Sequence, residues 1–275
     1  MRKEELTFEA VDDLVSANKM GKLSSTAPSM SFAPSQIGPL IELAFESNTG
    51  RHGPLLTSAW LDPLVQRDLR SALAGTQNVW LDRLRYRGFL RTVFSPERPK
   101  DDEIRTNFLM AVRVSAEAMG FPVPTAQFLT AAVRELESNI HEHSAFSTSG
   151  VLAFQARASS FEFVAADSGR GVLATLREAP EFQSLTDHGR ALHAALHEGV
   201  SRYGKAANRG NGFRDLFRGL ADLNANLRFR SGDHALTISG PRPELKMARL
   251  DQKAHFQGFL ASAHCHLLRA SGAIH

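Results

Sequence analysis

The chain reads as an α+β protein, and three observations predict this class. Apolar residues recur at helical spacing through Phe128, Ala132, Leu136 and Ile140. Two neighbouring stretches, 150–157 and 160–166, alternate in the manner of paired strands. The composition is that of an ordinary globular protein, with 43% hydrophobic and 22% charged residues over 275 positions. That length suits one large or two modest domains and can bury a core without disulfide staples.

In chain order, residues 8–20 form a helix-like stretch, and the Ser/Ala/Pro-rich stretch 24–35 reads as a loop. A short apolar run, 39–45, follows, then an apolar segment, 55–64, interrupted by Pro63, and a mixed segment, 79–93. Pro99-Lys100-Asp101-Asp102 is a charged break, so residues 1–100 are expected to form a smaller α/β region. Residues 108–119 look helical and stop at Gly120-Phe121-Pro122. The next helix starts after Pro124-Thr125 and ends near Ser144. The two alternating strands come next, the second closed by Asp167-Ser168-Gly169-Arg170-Gly171. A helix over 187–198, a Gly/Ala/Asn-rich stretch over 204–212 and a helix over 213–223 are expected in the following region. Residues 227–230 and 235–239 read as a hairpin around Ser231-Gly232-Asp233. The last stretch, 241–275, reads as a helical tail.

Net charge is +3 with a pI near 9.2, and the basic residues are scattered. Arg83, Arg85, Arg87 and Arg91 alternate with Leu84, Tyr86 and Phe89, as on a half-exposed strand or helix face. Such a pattern argues against a nucleic-acid surface, which clusters its cations. The single cysteine, Cys265, cannot make an internal disulfide, which fits a reducing compartment. The first residues lack the apolar core of a secretory signal, and no stretch has the apolar length of a membrane span. A cytoplasmic protein without a membrane segment is expected.

Three segments carry candidate chemistry. In Glu135-Leu136-Glu137-Ser138-Asn139-Ile140-His141-Glu142-His143-Ser144, Glu135 and Asn139 lie four apart, one turn above each other beside the apolar stripe. A carboxylate and an amide oxygen so placed can serve a hydrated Mg²⁺ or orient a nucleophile. Taken alone, the segment also reads as the solvated face of an amphipathic helix. Asp167, at a strand end, can accept a hydrogen bond from the exocyclic amine of adenine, while Gly169 and Gly171 let a flat base approach the backbone. An ordinary Asp-x-Gly turn is the alternative. In Asn208-Arg209-Gly210-Asn211-Gly212, glycines feed a helix N-terminus and can offer backbone N–H groups to phosphate. A flexible loop with a helix cap has the same appearance.

Taken in order, the three segments resemble the N, G1 and G2 boxes of the GHKL (Bergerat-fold) ATPase superfamily over residues 103–240. The strings at 135–144 and at Glu198-Gly199-Val200-Ser201 look most like the anti-sigma-factor serine kinase and bacterial regulatory branch. The resemblance implies a two-layer α/β sandwich, a mixed sheet covered by helices, that binds ATP with Mg²⁺. It implies that Asn139 holds Mg²⁺, that Glu135 is the general base or orients water, and that Asp167 reads adenine. Gly169 and Gly171 would border the base, and Gly210, Asn211 and Gly212 would meet the phosphates. His143 stands where the family often has a basic residue near the phosphates, and a capping or packing role is equally open. Ser201 would belong to the nucleotide site, and residues 172–209 would form the ATP lid. The third glycine of the G2 pattern is absent, since Phe213-Arg214 follows Gly212.

Residues 1–100 lack the phosphoacceptor helix of a self-phosphorylating histidine kinase. Two classes remain: a Mg²⁺-dependent ATPase or protein serine/threonine kinase acting on a partner protein, or a nucleotide-gated interaction module without significant catalysis. The N-terminal region is expected to bind a partner, with a sulfate-transporter/anti-sigma-antagonist-like fold as one option. The alternative is that it extends the ATPase core or supplies a homodimer surface.

Overall fold

The computed structural model describes residues 4–22, 32–33, 36–48, 77–95, 97–197, 220 and 223–267. The first helix, α1 (Phe8–Lys19), starts where the Thr7 hydroxyl accepts the Ala10 N–H at 3.2 Å. It is followed by α2 (Ile37–Asn48). A short parallel pair, β1 (Glu4–Glu5) with β2 (Phe32–Ala33), accompanies them. Strands β3 (Val79–Leu81) and β4 (Arg87–Arg91) precede α3 (Pro99–Ala118) and α4 (Val123–His143). The charged break expected as a domain boundary is the start of α3, with Pro99 in its first turn and Asp101 and Asp102 at its positive end.

Six strands form one sheet in the order β3-β4-β5-β6-β8-β7, antiparallel throughout. β5 (Val151–Arg157) and β6 (Ser160–Asp167) form the expected tight hairpin, its turn made by Ser159 at φ 62°. Helices and this sheet together give the expected α+β class. Both sheet faces are covered, so the layers are three where two were expected, and the six-stranded sheet is antiparallel where a mixed one was expected. On one, α3 and α4 pack on Leu90, Leu152, Phe154, Phe161 and Phe163. On the other, α1 and α2 pack on Phe89, Val151, Val164, Phe256 and Leu260. The N-terminal segments therefore cover the second face of the same sheet, and β3 and β4 are its strands at one edge, rather than standing apart as a unit over residues 1–100.

Two expectations for the second half are corrected. The hairpin read around Ser231-Gly232-Asp233 is one continuous strand, β7 (Asn224–Pro241). Its Gly232 has φ 58°, and the register shifts on either side of it mark a β-bulge. The helical tail read over 241–275 holds instead β8 (Arg249–His266), which lies between β6 and β7. A strand covered on both faces loses its polar alternation, so the Ala-rich stretch 260–265 has the composition of a helix. The hairpin that closes the domain is β7 with β8.

Between β6 and β7, residues 172–197 of the expected lid form α5 (Gly171–Leu176) and α6 (His188–His197) around a small core of Leu176, Ala191 and Ala195. Residues 198–219 lie outside the described residues, and with them the whole Gly-rich segment and Ser201. No helix among the described residues is long and apolar enough to cross a membrane.

Candidate nucleotide site

The structure brings the first two chemical segments into direct contact. Asp167 is the last residue of β6 and is buried, with its Oδ1 accepting the Gly169 N–H at 2.7 Å. Burial raises its pKa to about 6, and the Gly169 N–H pulls the other way. At neutral pH it is therefore a carboxylate held in apolar surroundings, a strong hydrogen-bond acceptor.

The loop that follows packs against the last turn of α4. The Ser144 carbonyl accepts the Arg170 N–H at 3.0 Å. The His143 carbonyl accepts Arg170 Nε at 2.9 Å and the Thr175 hydroxyl at 3.3 Å. Gly169 is obligatory for this contact, since a Cβ there would lie 2.2 Å from the Ser144 carbonyl oxygen. Arg170 is anchored further by an ion pair with Glu178.

On α4, Glu135 is exposed and Asn139 is half-buried one turn further on. The Asn139 Nδ2 atom is buried and has no hydrogen-bond partner among the described residues. Buried amide groups are nearly always satisfied, so this atom fits a partner beyond the described residues. His143, half-buried at the end of α4, uses its carbonyl to hold the loop. His141 is kept neutral at lower pH than usual by its burial, with Glu137 raising and Arg105 lowering its pKa. Gly210, Asn211, Gly212 and Ser201 lie outside the described residues, so the phosphate side of the expected pocket is not in view. Two open depressions are lined by described residues, one of about 510 Å³ by Phe182, Arg190 and His193 and one of about 340 Å³ by Met110, Gln127 and Arg134. Neither includes Glu135, Asn139 or Asp167.

Four residues that hold the loop, three from the sheet and Ser149 from the turn before β5, escape a reading of motifs. Ser231 accepts the Val172 N–H at 2.9 Å and donates to the Gly258 carbonyl at 2.9 Å. Gln257 Nε2 donates to the Gly169 carbonyl at 2.6 Å. Gly258 has φ 90°, and a Cβ there would lie 2.0 Å from the Asp167 carbonyl oxygen. Ser149 accepts the Ser168 N–H at 3.2 Å. A lone glycine inside an alternating apolar stretch, as Gly258 is between Phe256 and Leu260, is the signal that marks such a close approach.

Comparison with protein-family models, curated proteins and solved structures finds no match. The likeness to GHKL ATPases therefore rests on the three sequence segments, the third of which lies outside the described residues.

Proposed function

We propose that this chain binds ATP with Mg²⁺ and works as a GHKL-type signalling protein, an ATPase or a protein serine/threonine kinase of the anti-sigma-factor kind. The observation that carries the reading is the buried Asp167 carboxylate at a strand end, in a loop seated on the helix turn that follows Asn139. A buried carboxylate accepting from an adenine amine excludes guanine, which offers a carbonyl at that place. Asn139 would hold Mg²⁺ through its side-chain oxygen, water completing the shell, and its unpartnered Nδ2 fits a ligand oxygen. The ion supplies charge neutralisation at the phosphates. Glu135, exposed one turn before, takes the proton of a Ser or Thr hydroxyl on a partner protein, or orients water.

Calorimetric titration with ATP and ADP, with and without Mg²⁺, tests this. Wild type binds both, and Asp167→Asn binds at least about tenfold more weakly, because its amide nitrogen would face the adenine amine in place of a second acceptor oxygen. Absence of binding by folded wild type sinks the proposal. A second reading, binding without significant catalysis, is favoured by Arg214 standing where the third glycine of the phosphate motif is expected. Glu135→Ala separates the two. A kinase or ATPase loses turnover and keeps nucleotide affinity, whereas a gated module is unaffected in both.

A further inference from the structure

The face of the sheet opposite α3 and α4 carries a buried block of charges. Arg228 and Arg230, on β7, are 4% and 1% exposed. Arg228 forms a fork with Glu42 at 2.8 Å on both arms and reaches Asp12 at 2.7 Å. Arg230 contacts Glu42 at 3.0 Å, Glu46 at 3.3 Å and the Ala254 carbonyl at 2.9 Å. Lys253, on β8, pairs with Asp12 at 2.9 Å. Asp12 belongs to α1, and Glu42 and Glu46 to α2. On β6, the buried Glu162 accepts the Ile37 and Gly38 N–H groups at 2.7 Å, fixing the start of α2.

The three strands gripped in this way are the three that frame the Asp167–Gly171 loop. The residue after Arg230 is Ser231, which holds Val172 and Gly258. Four and five residues after Lys253 come Gln257 and Gly258, which meet Gly169 and Asp167. Five residues after Glu162, β6 ends in Asp167 itself. Directly beyond Ser231, β7 is bulged at Gly232, the place where a strand can change register.

We propose that α1 and α2 are a regulatory layer that sets the order of the Asp167–Val172 loop through β6, β7 and β8. A buried ion network of this kind adds little net stability over apolar packing, but losing one partner strands a charge. In this proposal the layer docks and releases as a unit, the two states that a regulatory element needs. A partner that displaces α1 or α2 would loosen the loop, and a ligand that orders the loop would tighten the layer. The control of nucleotide affinity rests on the function proposed above; the coupling between layer and loop does not.

Hydrogen exchange on the full chain, read by mass spectrometry, tests the coupling first without nucleotide. Asp12→Asn removes one charge from the outer end of the block. Amide exchange over residues 168–176 is expected to rise at least about threefold relative to wild type. Val112→Ala, a cavity in α3 on the opposite face, leaves that segment within error of wild type at equal global stability. Unchanged exchange at 168–176 in Asp12→Asn, or a rise spread evenly over the chain, overturns the proposal. If Asp12→Asn does not fold, Lys253→Gln, which removes only its outermost ion pair, is read in the same way. In a second arm, ADP with Mg²⁺ slows exchange in residues 8–19 and 37–48 of wild type, at an occupancy set by calorimetry. No heat of binding sinks the nucleotide reading alone; full occupancy with no change in α1 and α2 sinks the regulatory layer.

Discussion

Gly258 and Asp167 meet where β8 passes the end of β6, and each makes a demand that its neighbours must meet. At Gly258 the demand is steric. With φ at 90° and a Cβ position 2.0 Å from the Asp167 carbonyl oxygen, any side chain forces the two strands apart. Gly258→Ala is expected to cost more than about 2 kcal/mol, read as a lower urea midpoint, and a midpoint unchanged from wild type would contradict the close approach. At Asp167 the demand is electrostatic. Burial lifts its pKa from an ordinary 3.8 to about 6, so the folded chain binds this proton more tightly than the unfolded chain between those values. Stability from this group is therefore full below pH 3.8 and is lost as pH rises towards 6. Asp167→Asn removes the loss and keeps an acceptor for the Gly169 N–H. It should match wild type near pH 4 and exceed it by about 1–3 kcal/mol at pH 8, the upper end following from a carboxyl that titrates near 6 instead of 3.8. Urea titrations at the two pH values check this, and an equal difference at both would show that Asp167 titrates normally.

Among the elements, α3 and α4 are joined by one buried ion pair as well as by apolar packing. Arg105 donates Nε and Nη2 to the two oxygens of Glu137 at 2.7 and 2.8 Å, with Glu137 1% and Arg105 12% exposed. Glu137→Leu leaves the guanidinium with only the solvent-facing Asp102, and a loss of about 3 kcal/mol is expected. The double variant Arg105→Leu/Glu137→Leu should lose clearly less than the sum of the two single changes in a urea double-mutant cycle; strict additivity would mean that the pair is not coupled. This helix also shows what periodicity can and cannot reveal. The stripe Phe128, Ala132, Leu136 and Ile140 marks the core side of α4. It does not tell which of two nearby carboxylates is drawn inside, since Glu137 is taken in by Arg105, a residue 32 positions away. The β5–β6 hairpin was legible for a local reason, a two-residue turn between alternating strands. β7 and β8 were not, because their length depends on each other. The Ser-Gly-Asp signal at 231–233 is the same for a turn as for a bulge, and only the partner strand decides. Of the candidate site, Asp167 and Gly169 could be named from their motif. Ser231 and Gln257 could not, since both act across strands that the sequence did not place side by side.

For the whole molecule, the order β3-β4-β5-β6-β8-β7 makes the end of the described chain part of its centre. β8 is bonded to β6 along residues 160–167 and to β7 along 224–237. It supplies Phe256 and Leu260 to the core under α1 and α2, and Ala261, Ala263 and Cys265 to the core under α3 and α4. A chain cut after residue 241 would keep every motif of the ATPase resemblance and lose this strand. β6 and β7 would then face each other across an empty place with unpaired backbone N–H and C=O groups, which cost free energy when buried and seed aggregation when exposed. The Asp167 loop would lose Gln257 and Gly258, and Arg230 would lose the Ala254 carbonyl. The 1–241 chain is therefore expected to lack cooperative unfolding by circular dichroism and to bind no nucleotide, whereas 1–267 keeps both strands of the closing hairpin and unfolds in one transition. A cooperative, folded 1–241 chain would mean that β8 is an appendage to the sheet and not its middle.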